Sequence, residues 1–297
     1  MTTAAPQPTH PFPPVPQFAS QIPVEQTRLS HALRSEWTKI RSVRSTMWTL
    51  GVMLLLVIGI NLLVVWPVAD SHDPSVPVLA PGLFGLMLGQ LAVITLGALV
   101  ITSEFGTGMI RTTLTSCPQR SRVLAAKAIV FFGVSFVTTT VACAVTALIN
   151  YAVLSGRSVT PDETDYAGTG VVVRGGLTSA GGSQWLGATV GVGLYVALLG
   201  LLALAVGTLL RHSAGAITTM LGVVLLPLLV ALFLPGSLQS TRDNMIKFSA
   251  PNSLASLYRI PMIGSDSQNG LLQLVVLACV TAAALTAAFV TLNARDV

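Results

Sequence analysis

Residues 28–66 read RLSHALRSEWTKIRSVRSTMWTLGVMLLLVIGINLLVVW. Two patterns meet in this stretch. Met47 to Trp66 carries no charged residue, and about 20 apolar residues are what a helix needs to cross the hydrocarbon core of a bilayer. In lipid each backbone N–H and C=O must be bonded within its own segment, so the stretch predicts a helix. Ahead of it, Leu29, Leu33, Trp37, Ile40, Val43 and Met47 recur at steps of three and four, which sets them on one helical stripe. Arg34, Lys39, Arg41 and Arg44 fall elsewhere on the circumference. That pattern predicts a helix over 28–46 lying along the inner leaflet, with Trp37 at headgroup level.

Working outward, five more segments are long and apolar enough to cross: 81–102, 125–154, 185–210, 214–234 and 271–292. The bulk composition agrees. Of 297 residues, 52% are apolar and 9% charged, with mean hydropathy +0.75, whereas a soluble domain carries about 25% charged residues. The expected fold class is an all-α polytopic membrane protein of six spans. Residues 1–27, rich in proline and without the pattern of a signal peptide, read as a disordered cytoplasmic tail. Residues 28–46 then form the interfacial connecting helix, and 47–297 the six-span domain.

Charge sets the orientation. With both termini cytoplasmic, Arg28, Arg34, Lys39, Arg41, Arg44, Arg111, Arg120, Arg122, Lys127, Arg211 and Arg295 lie inside. Arg157, Arg174, Arg242, Lys247 and Arg259 lie outside, an asymmetry of eleven to five in the sense of the positive-inside rule. The acidic trio Asp162, Glu163 and Asp165 reads as a solvated outer loop. No Asp, Glu, Lys or Arg falls in the middle of any span, which argues against coupling to an ion gradient through a membrane carboxylate. Asn61, Gln90, Asn150 and Tyr195 are the sparse polar residues within spans. They face a substrate path or hydrogen-bond between helices. Gly85 with Gly89, and Gly187 with Gly191, mark faces for close helix packing, as do the alanines of the last span.

The loop after the second span reads ITSEFGTGMIRTTLTSCPQRSRVLAAKAIV. Glu104 closes the span, Thr107 is placed to cap a new helix, and Met109, Ile110 and Leu114 give that helix a short apolar face. Cys117-Pro118 ends it. The pattern suits a short cytoplasmic helix that pushes on a soluble partner, and it also suits an ordinary positive-inside loop. The three cysteines are too scattered for a disulfide framework or a metal site. No basic-aromatic platform or finger motif for nucleic acid is present.

SEWTKIRSVRSTMWTL before the first span, paired with SEFGTGMIRTTLTSCPQRSRVLAAKA after the second, resembles the permease subunits of type-2 ABC exporters, the actinobacterial members in particular. The two motifs cover about a fifth of the chain. The resemblance falls on Glu36, Trp37, Lys39, Arg41 and Arg44 in the first motif. In the second it falls on Glu104, Gly106, Thr107, Arg111, Pro118, Arg120 and Lys127. It implies that Arg34, Trp37, Lys39, Arg41 and Arg44 belong to a connecting helix. It also implies a coupling helix, with Glu104, Gly106, Thr107, Met109, Ile110, Arg111, Pro118 and Arg120 docking an ATPase. Residues 235–270, with Pro251 near a helix start, are similar to the family's outer re-entrant segment. The loop at 155–184 is longer than the family leads one to expect.

The expectation is therefore a bacterial inner-membrane permease. It would form with a second permease subunit a path for a hydrophobic or amphipathic substrate, and Asn61, Gln90 and Tyr195 would line that path. ATP and magnesium would be bound by a partner ATPase, because this chain has no G-x-x-x-x-G-K-[ST] loop. It also lacks H-E-x-x-H and nucleophile-elbow patterns, so it is expected to hold no cofactor or metal and to be no enzyme itself. The alternative is a membrane scaffold or immunity protein that binds a ligand or partner without transport. Glu104, the only acid in its loop, is expected to meet the basic residues of the connecting helix: Arg34, Lys39, Arg41 or Arg44.

Overall fold

The structure, a computed structural model, describes residues 28–71, 73–109, 112, 119–159, 169–260 and 270–294. The expected tail at 1–27, the acidic trio, and Ile110, Arg111, Leu114 and Pro118 of the expected coupling helix lie outside the described residues.

In chain order come α1 (Leu29–Ser42), α2 (Arg44–Ser71), α3 (Pro81–Gly106) and α4 (Arg120–Leu154). A two-stranded hairpin follows, β1 (Val172–Arg174) and β2 (Leu177–Ser179). Then come α5 (Gly182–Leu186), α6 (Val192–Leu210), α7 (Ser213–Phe233), α8 (Gln239–Lys247), α9 (Ala250–Leu257) and α10 (Leu271–Ala294). A π-helical turn, Gly187–Gly191, joins α5 to α6 into one rod. Six helices are long and apolar enough to cross a membrane: α2, α3, α4, the α5–α6 rod, α7 and α10. The chain is an all-α polytopic membrane protein, apart from the small hairpin.

Burial separates the six. The most apolar stretch is 67% buried in the α5–α6 rod and 56% in α3, against 11% in α10, so the rod and α3 form the centre. These two pack closely because Gly97 and Gly200 meet where they cross; a Cβ on Gly97 would run into the Gly200 carbonyl. Gly85 and Gly89 let α2 approach through Val57, and Gly187 and Gly191 rest on Leu257 of α9. The alanines of α10 pack less than their number suggests. Ala288 is buried, whereas Ala282, Ala283 and Ala287 face outward.

Expected boundaries move: the helix expected over 28–46 ends at Ser42, the first span runs from Arg44 to Ser71 rather than 47–66, and two more shifts flank the loop after α3. The expected second span ends at 102, but α3 continues to Gly106 and takes Glu104 into the helix. Thr107, expected to open the next helix, turns back to close α3, its Oγ1 donating to the Ser103 carbonyl at 2.8 Å. The third span likewise begins earlier than 125, at Arg120, and carries Lys127 in its third turn.

The end of the bundle away from α1 is tied by a few local contacts. In the 155–184 segment, Gly175 and Gly176 both have positive φ and form the two-residue turn between β1 and β2. Arg157 reaches across and donates to the carbonyls of Val68 (3.1 Å), Ala69 (3.2 Å) and Asp73 (3.2 Å), closing the carboxyl end of α2. Pro251 opens α9, and Leu254, Leu257 and Tyr258 are all buried.

Candidate functional site

α1 meets the bundle through a largely polar face rather than through its apolar stripe. At about 100° per residue, Leu29, Leu33, Trp37, Ile40 and Val43 form an apolar stripe. Only Ile40 of these is buried, and Trp37 is 49% exposed. The helix is instead turned so that Glu36, 3% exposed, faces inward with Ile40, flanked by half-buried Leu33 and Lys39. A buried carboxylate requires partners of opposite charge, since desolvating an unpaired ion costs several kcal/mol. It finds them on α1 itself and on α4.

Four side chains close a ring. Lys39 Nζ donates to Glu36 Oε1 at 2.9 Å and to Glu104 Oε1 at 3.0 Å. Lys127 Nζ donates to Glu36 Oε2 at 2.7 Å and to Glu104 Oε1 at 2.9 Å. Two acids and two bases make the ring neutral. It joins α1, the last turns of α3 and the first turns of α4. Glu36 and Lys39, three residues apart, share a face of α1 and can both reach the bundle. Lys127 is 1% exposed, and its Nζ lies 2.7 Å from Glu36 and 2.9 Å from Glu104. Burial disfavours the Lys39 ammonium, but the hydrogen bonds and charges of Glu36 and Glu104 outweigh it and raise its pKa above the ordinary value.

The ring leaves capacity over. An ammonium has three hydrogens, and Lys39 spends two of them. Glu36 uses both oxygens. Glu104 Oε1 accepts two bonds, while its Oε2 is buried and has no partner among the described residues. Beside the ring is a cleft of ≈ 310 Å³, lined by all four charged residues, by Ile40 of α1 and Val43 just after it, by Ser45, Thr46 and Thr49 of α2, by Leu96, Leu99 and Val100 of α3, and by Met109.

Of the residues expected to carry coupling, Glu104 is thus joined to Lys39, one of the four basic residues of α1 expected to face it. Arg34, Arg41 and Arg44 are exposed. Gly106, the last residue of α3, and Thr107 and Met109 beyond it are exposed. Arg120 donates to the Leu292 carbonyl at 3.2 Å and so ties α4 to α10. Arg211, a left-handed cap after α6, lies over the Phe105 ring at 5.2 Å. The resemblance singled out Glu36 and Lys127 but gave neither a partner. Lys127 is the only charged residue between Arg122 and Arg157, and a lone charge in so apolar a run was the signal for a buried pair.

Asn61, Gln90 and Tyr195, expected on a substrate path, are all interior, at 4% exposure or less. Tyr195 is hydrogen-bonded to Ser253, whereas neither polar atom of the Asn61 side chain has a partner. A buried polar stripe that sequence reading missed runs along α4 through Ser135, Thr139, Cys143, Thr146 and Asn150. Cys143 hydrogen-bonds Tyr258 at the far end. Among the described residues, no three His, Cys, Asp or Glu side chains gather as a metal site would require. No protein-family model matches the chain, and no curated protein matches it.

Proposed function

We propose that the chain is the permease subunit of an ATP-driven exporter, held in the inner membrane of a bacterial cell with both termini in the cytoplasm. The observation that carries this reading is the ion-paired ring. It fixes a short non-crossing helix to the ends of two spans, with Glu104 three residues before Thr107 in the sequence. A subunit that receives work from a soluble ATPase needs such a joint. A push on the loop after α3 is passed through Glu104 to α1 and α4, because separating any partner strands a buried charge.

In this reading α1 is the connecting helix along the inner leaflet. Its exposed apolar residues Leu29 and Trp37, with Val43 at its end and Met47 at the start of α2, then rest in lipid. The 107–117 segment is the coupling helix, and α8 and α9 form the outer re-entrant segment. A second permease subunit completes the path, and ATP and magnesium belong to the partner ATPase. The substrate is hydrophobic or amphipathic.

The deciding experiment purifies the full chain from its host and asks whether a nucleotide-hydrolysing chain with a Gly-rich phosphate loop comes with it. Co-purification that is lost in the double variant Met109→Asp/Ile110→Asp supports the reading, because a charge cannot fill an apolar docking groove without a desolvation cost. A chain that purifies without any ATPase is a scaffold or immunity protein, and the exporter reading fails. For the joint itself, Glu104→Gln should lower stimulated ATPase activity and export without lowering expression. Unchanged export would remove the ring from the coupling path.

A further inference from the structure

Two members of the ring with capacity left, Glu104 and Lys39, line the same cleft, and their spare capacities are of opposite kinds. Glu104 Oε2 is a buried carboxylate oxygen that lacks a donor among the described residues. Lys39, with 30% of its side chain exposed, has a hydrogen left to give. Val43, Leu96, Leu99 and Val100 give the cleft an apolar lining, and most of its other residues come from α1, the start of α2 and the end of α3, where the apolar spans end.

We propose that this cleft binds an amine-headed phospholipid of the phosphatidylethanolamine class. The lipid ammonium donates to Glu104 Oε2, its phosphate accepts from Lys39, and the first methylenes of a chain lie on Leu99 and Val100. The ring carries no net charge, so a zwitterionic head is matched better than an anionic one. A trimethylated head bears the same charges but has no N–H to give, so it cannot satisfy the buried oxygen. The inference rests on the ring and the cleft, and it holds whether or not the chain is an exporter subunit.

Native mass spectrometry of the detergent-solubilised full chain tests it, with phosphatidylethanolamine, phosphatidylcholine, phosphatidylglycerol and dodecylamine each added as probes. The wild type should retain phosphatidylethanolamine about tenfold over phosphatidylcholine, the scale of one charge-assisted hydrogen bond. Val100→Trp, which fills the cleft and leaves the ring intact, should abolish retention. Glu104→Gln should keep some lipid but lose the discrimination between the two heads, with a thermal melt confirming that each variant is folded. Equal retention of phosphatidylethanolamine and phosphatidylcholine by the wild type overturns the proposal without recourse to any variant. A preference that survives Val100→Trp in a folded protein overturns the location. Dodecylamine bound in the cleft with no preference among the lipids overturns the lipid assignment and makes a free amphiphilic amine the ligand.

Discussion

At the α1 end of the molecule, four ionised side chains from three helices close a ring. At the opposite end a single guanidinium, Arg157, takes three backbone carbonyls in and just beyond the last turn of α2. Both fasten parts of the chain that are far apart in sequence. They differ in what happens when one member is removed. Every charge in the ring depends on two others, all buried or half-buried, so one deletion leaves an uncompensated ion. The carbonyls that Arg157 holds are at a helix terminus and are free to take water instead. The ring therefore behaves as one unit and the Arg157 cap as a local repair, and that contrast can be measured.

The largest effect is expected from Lys127→Met. It leaves Glu36 and Glu104 in the interior with Lys39 alone, and the cost should be about 3–5 kcal/mol of stability, read as a fall in the unfolding temperature in detergent. A loss under about 1 kcal/mol would mean that water reaches the ring and that it is no tighter than a surface pair. Next, a double-mutant cycle on Glu36→Gln and Lys127→Met should return a coupling energy of about 1–3 kcal/mol, with the double variant better than the sum of the singles. Strict additivity would dissolve the ring into independent contacts. Arg157→Ala should cost about 1–2 kcal/mol. Its effect should stay local, seen as faster hydrogen exchange in the last turn of α2 and near-native exchange in α1.

The smallest effects sharpen the contrast from each side. Neither polar atom of the buried Asn150 side chain has a partner. Asn150→Leu should therefore change stability by less than about 1 kcal/mol, or raise it, since an unsatisfied polar group is being exchanged for an apolar one. The pH dependence follows from Lys39, whose folded pKa lies above the ordinary 10.5. A base raised in the folded state stabilises fully below its unfolded value and loses that contribution as pH climbs through the folded one. The Lys39 contribution should thus be unchanged from neutral pH to about 10 and fade only above it, in melts taken across that range.

The six spans were legible because hydropathy over about 20 residues is a property of composition, which no tertiary contact overrides. Glu104 was legible for a similar reason, as a lone acid among basic residues. Lys127 was not, because a basic residue near the end of a span satisfies the positive-inside rule and so conceals a second role. The inward face of α1 was not legible either: the apolar stripe was expected to lie along the inner leaflet, and its spacing did not show that Glu36, held by two ammonium partners, faces the bundle. The hairpin had a readable signal in the paired Gly175 and Gly176, although the anchoring role of Arg157 depends on where α2 ends in space.

The order of synthesis gives the ring one more consequence. Glu36, Lys39 and Glu104 all precede Lys127 in the chain. A nascent protein that has reached the end of α3 therefore holds two acids and one base at this place, a net charge of −1, and cannot bury them well. The start of α4 delivers the missing cation. Until then the early segments have reason to stay loosely associated, and once it arrives they can lock. We hypothesise that the ring acts as an assembly checkpoint during membrane insertion. Chains truncated after residue 118 should leave α1 open to protease, whereas chains extended to residue 156 should protect it, and the longer chain bearing Lys127→Met should behave like the shorter one. Equal protection of all three would show that the early helices settle without waiting for the charge that completes them.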